Sequence, residues 1–430
     1  MKRFILKSVT ILTTTAISIG VATTTSLPAF AASYENLQTL AYSENGYDDY
    51  RITHEGTCGI DYGDNVTYTM YDNGLLVLRG KGKMDYYADD DYEKERYAYV
   101  RPWNFGVGGK NWSDEIKVVR IENGITNIGA GAFSDCKNLT RVEIPDSVKE
   151  IGNLAFSNCK NLKNVTLPSG ITRIGKRAFD NTGLETVTIP SGLKVIEESS
   201  FSGCPIANLV IPEGVTTIQN SAFGYNDKLT AVSLPSSLTS IGKYVFSGSP
   251  NLTHIDLAAQ NPTYTIIEGS IYTKDGTELV ALNPSISGVY TIPNGTKRIA
   301  EGAVAVRYLE GLILPDSVES VATYAFYTCP NLKAVYIPTS VTSMGSKLVS
   351  TFLAYNGTMY IDVNPFILYS GTEAQWNSIN GGLPPTLNAE MFYNTTPDNV
   401  AYVVQKFGGN ASTQVYDAAG GFFYDTLAEG

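Results

Sequence analysis

Three ladders run through the middle of this sequence with a common step of 22 or 23 residues, broken once by a step of 35. The first is a proline after Ile or Leu: Pro145, Pro168, Pro190, Pro212, Pro235, Pro293, Pro315 and Pro338, with Glu122 and Ala258 at the slots that the period predicts. The second is Phe133, Phe156, Phe179, Phe201, Phe223, Phe246 and Phe326, with Val304 at the equivalent slot. The third is an Ile or Val five residues before each of these positions. Three ladders in one register mean that a single unit is repeated along the chain.

Each unit reads L-x-x-V-x-I-P-x-x-V-x-x-I-G-x-x-A-F-x-x-C/N/T. Its first half alternates apolar and polar residues, which predicts a short strand with one buried side. Proline ends that strand because it cannot donate to a β-ladder, and the following apolar residues at threefold spacing suit a tight turn or 3₁₀ segment. One unit cannot bury its own apolar side, but about ten stacked units can. The sequence therefore predicts a repeat solenoid of parallel β-strands joined by short turns.

The step of 35 residues, from Ala258 to Pro293, contains an insertion. Two β-rich runs, residues 271–274 and 277–282, flank Asp275-Gly276. This is a hairpin signal, since glycine accepts the positive φ of a type I′ turn. We predict a hairpin at 266–292 that projects from the middle of the solenoid.

The repeat unit resembles the BspA-like class of bacterial leucine-rich repeats, and the inserted hairpin is similar to one found in that family. Ahead of the repeats, residues 56–59, 66–69, 72–74, 80–82 and 102–103 resemble the β-rich segment that often precedes them, and residues 369–377 resemble their closing element. The resemblance covers residues 55–395. It implies a leucine-rich repeat solenoid in a secreted or cell-surface protein. Some members of that family act as adhesins.

Five segments follow from these patterns. Caps are expected because the first and last coils of a solenoid need cover. The segments are a signal peptide at 1–31, a β-rich N-terminal capping region at 32–112, the leucine-rich repeat solenoid at 113–345, a small C-terminal cap at 346–395 and a loosely structured tail at 396–430.

The first segment predicts export. Lys2, Arg3 and Lys7 precede an apolar stretch at 11–22, and Ala29-Phe30-Ala31 supplies small residues for cleavage after Ala31. No later run approaches the roughly 20 apolar residues that span a bilayer, so we expect no transmembrane segment after signal removal and a secreted or cell-surface location. With 31 basic against 42 acidic side chains, a nucleic-acid partner is not expected, because it needs a basic surface.

Four cysteines share one place in the repeat. Cys136, Cys159, Cys204 and Cys329 lie three residues after the repeat phenylalanine or its equivalent, where Thr182, Asn226 and Ser249 stand in other coils. A site that interchanges these residues favours a small side chain with a weak hydrogen bond. Only Cys136 and Cys159 lie in adjacent coils, so both a disulfide and a pair of buried thiols remain open for them.

Other candidate chemistry is sparse. His254 and Asp256 lie on the same side of one strand, but the repeat places no nucleophile near them, and His54 beside Glu55 is less informative. The acidic run at 89–91 does not match a calcium loop, so a solvated loop is favoured over a weak calcium site. We predict no catalytic residues, no metal site and no cofactor.

The outward row of the predicted sheet is the candidate binding face: Arg120, Glu143, Thr166, Thr188, Val210, Ser233, Asp256, Thr291, Ile313 and Tyr336. Open solenoid sheets serve as binding faces, although this row is also compatible with a plain solvated sheet. We expect a secreted or surface-associated, non-enzymatic, adhesin-like protein that recognises an extracellular protein or glycan through this face. An extracellular glycan-processing enzyme and a purely structural envelope component are the alternatives.

Overall fold

The computed structural model describes residues 50–58, 65–84, 112–326, 328–345, 354–355, 360–361, 365–381 and 391–406. The chain divides into two compact units, Met1–Arg51 and Ile52–Gly430. Only Tyr50 and Arg51 of the first unit are described, so the described architecture belongs to the second. The predicted signal peptide at 1–31 lies outside the described residues.

Four strands precede the repeats: β1 (Ile52–Thr57), β2 (Val66–Tyr71), β3 (Leu75–Gly80) and β4 (Gly82–Lys83). The first three form an antiparallel sheet in chain order. Its β2–β3 turn ends at Gly74, which has a φ of +88° and therefore a conformation that favours glycine. The Asn73 side chain supports this turn by accepting the Leu75 N–H at 3.0 Å.

The repeats begin after a 3₁₀ turn at Trp112–Asp114 and give each coil one or two short strands. The first eleven are β5 (Val118–Ile121), β6 (Ile125–Ile128), β7 (Arg141–Glu143), β8 (Glu150–Ile151), β9 (Arg173–Ile174), β10 (Val195–Ile196), β11 (Asn208–Val210), β12 (Thr217–Ile218), β13 (Ala231–Leu234), β14 (Ser240–Ile241) and β15 (His254–Leu257). We number the coils from 1 at the Glu122 slot, so that Pro212, Pro235 and Ala258 lie in coils 5, 6 and 7.

The strands stack in two rows of parallel strands. The first row contains β5, β7, β11, β13 and β15, and the second contains β6, β8, β9, β10, β12 and β14. Because one repeat makes one coil, equivalent residues pair: Leu209 with Val232 and Val232 with Ile255. β3 pairs in parallel with β5 and β4 with β6, so the N-terminal strands cover the first coil. The predicted solenoid of parallel strands is confirmed, and it has about 11 turns.

The tight turns form a third side of the solenoid. The residues two before and two after the repeat phenylalanine have positive φ, as at Leu154 (58°) and Asn158 (63°) around Phe156. The turns are bonded from coil to coil, since the Phe156 N–H donates to the Ala178 carbonyl at 2.8 Å. Inside, the rings from Phe133 to Phe246 stack with successive centroids 5.2 to 6.3 Å apart. This stack explains why the repeat keeps phenylalanine at one position.

The insertion is a three-stranded antiparallel meander made of β16 (Tyr264–Ile267), β17 (Ser270–Thr273) and β18 (Glu278–Ala281). A type I′ turn is present, but at Glu268-Gly269, where φ is +48° and +76°. At Asp275-Gly276 only Gly276 has a positive φ, so our prediction of a type I′ turn there is wrong. Asp275 instead accepts hydrogen bonds from Thr273 and Thr277, which lower its pKa to about 2.

The later coils contain β19 (Ser287–Thr291), β20 (Arg298–Ile299), β21 (Tyr308–Ile313), β22 (Ser320–Val321), β23 (Ala334–Ile337) and β24 (Ser343–Met344). β18 pairs in parallel with β20, and β19 pairs in parallel with β21 in the first row. The predicted bounds of 266–292 are therefore shifted, because the meander starts at Tyr264 and residues 287–291 already resume the repeat. Coil 6 contacts the coils beyond the meander through Lys243 and Glu301, whose charged atoms lie 2.7 Å apart.

The C-terminal region extends the first row. It contains β25 (Ala354–Tyr355), β26 (Tyr360–Ile361), β27 (Phe366–Tyr369), α1 (Glu373–Ser378), a 3₁₀ turn at Ile379–Gly381 and β28 (Met391–Phe392). β27 pairs with β23 and β28 with β27, both in parallel. Thr372 and Gln375 form a capping box at the start of α1, and Trp376 is buried against Tyr369.

A second helix, α2 (Asp398–Lys406), follows β28. Our prediction of a loosely structured tail at 396–430 is wrong for these residues; those from 407 onward lie outside the described residues. The helix forms because Val400, Val403 and Val404 recur at helical spacing and give it one apolar side. Val400 and Val403 are fully buried against the outer surface of the first row.

Candidate binding face

The strand register places the residues of the predicted binding face in one outward column on the first row of strands. Arg120 pairs with Glu143, and Val210 with Ser233 and then Asp256. Beyond the meander the column continues through Thr291, Ile313 and Tyr336. Thr166 and Thr188 occupy the repeat-equivalent positions in coils 3 and 4 and are exposed. The structure therefore brings the ten residues onto one side but gives them three different surroundings.

The N-terminal part of the column is charged, and its charges bind one another. Arg120 forms an ion pair with Glu143, and Arg141 Nη2 lies 3.0 Å from the same carboxylate. One strand earlier, Arg79 Nε lies 3.0 Å from Glu122. These side chains are partly exposed, so each pair contributes little to stability. Each of these charges nonetheless has a partner of opposite sign within the face.

The middle of the column is neutral and polar. Thr188 and its neighbour Thr186 are exposed, and the Thr186 hydroxyl donates to Asn164 Oδ1 in the coil before, at 3.3 Å. In the same way the Thr230 hydroxyl donates to Asn208 Oδ1 at 3.2 Å. Val210 is an apolar exception with 66% of its surface exposed. These coils present an ordered, uncovered surface without formal charge on the strand row.

Beyond the meander Thr291 is still exposed, but the C-terminal end of the column is covered. Ile313 is half-buried and Tyr336 is only 6% exposed, because α2 lies over β21 and β23. Burial raises the pKa of Tyr336. Placing Ile313 and Tyr336 on the binding face was therefore wrong. The signal that identifies the cover is the valine spacing of α2, which lies in the segment that we predicted to be loosely structured.

An open groove of about 320 Å³ lies where the first-row strands of coils 5 to 7 end. It is lined by Ile211, Glu213, Ser233, Leu234, Pro235, Asp256, Leu257 and Ala258. Glu213 accepts hydrogen bonds from the Ser236 N–H at 2.9 Å and the Ser236 hydroxyl at 3.0 Å. The first of these is the main cause that lowers the pKa of Glu213. Ser233 and Asp256 thus belong both to the predicted face and to a concave site.

The repeat cysteines are buried thiols. The Sγ atoms of Cys159, Cys204 and Cys329 each donate to the carbonyl of the repeat phenylalanine or Val304 in an earlier coil, at 3.0 to 3.1 Å. The Ser249 hydroxyl makes the same bond to Phe223. Of the two possibilities for Cys136 and Cys159, the structure has thiols rather than a disulfide. Burial raises the pKa of Cys204 and of Cys329 to about 12, so neither is a nucleophile near neutral pH.

The histidines do not form a catalytic arrangement within the described chain. His254 Nδ1 lies 2.8 Å from the Thr253 hydroxyl, and both side chains are exposed. Asp256 has no hydrogen-bond or ion-pair partner among the described residues, so it does not orient His254. His54 is half-buried in β1. The acidic run at 89–91 lies outside the described residues.

Two searches of the described residues gave no site. No group of three or more His, Cys, Asp or Glu side chains in this part of the chain is placed to hold a metal ion. Over the same residues, no helix combines the length and the apolar content needed to cross a bilayer.

The family model of the BspA type leucine rich repeat region matches residues 111–207, 194–288 and 288–354, in six copies. Among solved structures, the chain is similar to a leucine-rich repeat protein from Eubacterium ventriosum, with 24% identity, a TM-score of 0.47 and 68% of each chain covered. A leucine rich cell surface protein from Faecalibacterium prausnitzii is 25% identical, with a TM-score of 0.47, over 74% of this chain and 97% of that one. The pneumococcal vaccine antigen PcpA is 15% identical, with a TM-score of 0.38, over 80% and 95%. No curated protein sequence matches this chain.

Proposed function

Because this chain belongs to the family of BspA type leucine-rich repeat proteins, whose model matches more than half of it, we propose that it is a non-enzymatic, adhesin-like binding protein. It is exported through the signal segment at 1–31 and acts outside the cell or at its surface. Its partner is an extracellular protein or glycan. The binding surface is the outward side of the first strand row in coils 3 to 7.

One observation carries this proposal. Among the described residues, the outward column is accessible in coils 3 to 7, whereas α2 covers Ile313 and Tyr336 beyond the meander and ion pairs engage the charged side chains in coils 1 and 2. The uncovered part combines exposed threonines, the exposed Val210 and a groove. In coils 5 to 7 this part is a parallel sheet of β11, β13 and β15, and an exposed solenoid sheet with both polar and apolar side chains is a surface that such folds offer to partners.

The groove does not have the chemistry of a glycan-cleaving enzyme. Two carboxylates, Glu213 and Asp256, line it, and a glycosidase would use such a pair with one acting as a general acid of raised pKa. The pKa of Glu213 is lowered by its hydrogen bond from the Ser236 N–H. Asp256 is exposed on the open surface. This supports recognition over catalysis.

The test is binding of residues 32–430 to an immobilised panel of host matrix proteins, mucins and bacterial wall glycans. We expect saturable binding to a panel member. Thr188→Lys and Ser233→Lys should each weaken it by at least about fivefold, because a long charged side chain prevents close contact with the face. Circular dichroism should show an unchanged fold.

Ser240→Lys is the matched control, since Ser240 lies in the same coil but in the second strand row and is exposed. It should leave the affinity within about twofold. Equal losses from Ser233→Lys and Ser240→Lys would remove the first row as the binding surface. Product release from a polysaccharide panel would instead support an enzyme, and self-association without any ligand would support a structural envelope component.

A further inference from the structure

At its end in coil 7, the groove lies where the chain departs from the repeat. Ala258 stands in the slot that proline fills in most other coils. Its N–H donates to the Leu234 carbonyl at 3.0 Å, a bond that proline could not form. The small side chain leaves Leu257 and Ala258 partly exposed at the end of the groove.

The groove also contains an uncompensated charge. Its two charged lining residues, Glu213 and Asp256, are both acidic. The charges on the column in coils 1 and 2 are paired, but Asp256 has no partner in the described part of the chain. The nearby His254 ring is bonded to Thr253 instead. An unpaired carboxylate at the edge of a concave surface favours a cationic group.

The remaining lining is apolar. Leu257 and Ala258 supply partly exposed hydrocarbon surface beside the carboxylates, above the buried Ile211, Leu234 and Pro235. Lysine and arginine side chains combine a long apolar stem with a charged end and bury the stem when the end is satisfied. A volume of about 320 Å³ is large enough for such a side chain together with adjoining backbone.

We propose that this groove is a subsite for a lysine or arginine side chain in an extended basic segment of the partner protein. The stem lies against Leu257 and Ala258, and the charged group binds Asp256, with Glu213 completing the acidic rim. This inference rests on the proposed function and specifies it, since it makes the partner a protein rather than a glycan.

The test uses fluorescein-labelled hexalysine and its fully Nζ-acetylated counterpart as probes in fluorescence anisotropy at 150 mM salt. We expect hexalysine to bind residues 32–430 and the acetylated peptide not to bind. Asp256→Asn should weaken hexalysine binding about threefold to fivefold, near the upper end for an exposed charge pair. Ala258→Pro should weaken it to a similar extent, because it fills the groove without changing the charge.

Glu185→Gln is the matched control. Glu185 is exposed beside the same face and pairs with Lys163 at 3.1 Å, so its loss changes the net charge equally. It should alter the affinity by less than about twofold. Equal losses from Asp256→Asn and Glu185→Gln, or full binding by Ala258→Pro, would show attraction to the overall negative charge and would overturn the subsite. If Ala258→Pro does not fold, the comparison of Asp256→Asn with Glu185→Gln decides alone.

The two proposals can fail separately. If Thr188→Lys weakens the binding of a panel ligand but the protein does not bind hexalysine, the proposed function is retained and the subsite is rejected. Binding of chitotriose that Ala258→Pro abolishes would also reject it, in favour of a glycan site. Conversely, hexalysine binding that depends on Asp256, with no panel ligand, would retain the subsite and reject the choice of partners.

Discussion

The residue three positions after each repeat phenylalanine shows how one site accepts cysteine, serine or threonine. The Cys159 thiol and the Ser249 hydroxyl both donate to the carbonyl of the phenylalanine one coil earlier. The Thr182 hydroxyl bonds to the phenylalanine carbonyl of its own coil. The sequence predicts this site correctly because the requirement, a small donor facing a carbonyl, is local and repeated.

Some residue-scale features have no comparable sequence signal. Tyr225 and Tyr244 have positive φ at turn positions where most other coils use Asn, Asp, Gly, Ser or Arg. A bulky residue in that region is strained, and nothing in the repeat pattern predicts it. The strain is accommodated where each ring faces a glycine, since a Cβ on Gly248 would come within 2.6 Å of Tyr225 and one on Gly302 within 2.7 Å of Tyr244.

The buried thiols predict a loss of stability at high pH. The folded pKa of Cys204 and Cys329 is about 12, against an ordinary value of 9.0. Because the folded pKa is raised, the stabilisation is complete below pH 9 and falls as pH rises toward 12. The slope is about 1.4 kcal/mol per pH unit for each thiol. Urea unfolding at pH 8, 9.5 and 11 measures it, and the double variant Cys204→Ser, Cys329→Ser should have a shallower slope.

The native protein should also resist a thiol reagent at pH 8 and react fully in denaturant. Rapid reaction of the native protein, or identical alkaline slopes in the two proteins, would contradict the burial of these thiols.

At the scale of elements, the sequence predicts the short strands, predicts the meander only in part and does not predict α2. The strands follow from alternation repeated in each coil. The meander is predicted from Asp275-Gly276, but its type I′ turn lies at Glu268-Gly269. Glu268 is a residue type that rarely adopts positive φ, and a tertiary contact holds its side chain. The Tyr290 hydroxyl donates to Glu268 at 2.9 Å across 22 residues of sequence. Burial is the main cause of the raised pKa of Tyr290, and the Glu268 carboxylate adds to it.

The packing of helix α2 on the sheet depends on the absence of a side chain at Gly311. A Cβ at this position would lie 2.6 Å from Val400 Cγ1 and 3.2 Å from Val404 Cγ2. Gly311→Ala should therefore loosen the helix and destabilise its contact by about 1 to 3 kcal/mol. Hydrogen exchange should show at least about fivefold faster exchange at 400–406, with coils 1 to 7 unchanged.

Gly224→Ala is the control for this prediction. Its Cβ would meet no atom closer than 3.4 Å, and its φ suits any residue. Unchanged exchange at 400–406 in Gly311→Ala would mean that α2 does not need this close approach.

At the scale of the whole molecule, the repeat period specifies the solenoid but not where its surface is usable. Stacked coils bury one apolar side, yet the meander divides the buried side chains into a cluster that ends at Ile271 and another that begins at Tyr272. A third, smaller cluster lies outside the sheet under α2. This last cluster explains the wrong prediction at Ile313 and Tyr336. They are covered by residues distant in the sequence, and such a cover changes their exposure without changing the repeat.

The central claim is that the partner contacts the uncovered first row of coils 3 to 7. Hydroxyl-radical footprinting of the chain, with and without the bound panel ligand, tests it most directly. The account predicts protection of Val210 and His254, which are exposed on that row, and no change at Tyr225, which is 57% exposed on the turn side. Protection of Tyr225 with unchanged oxidation of Val210 and His254 would contradict it.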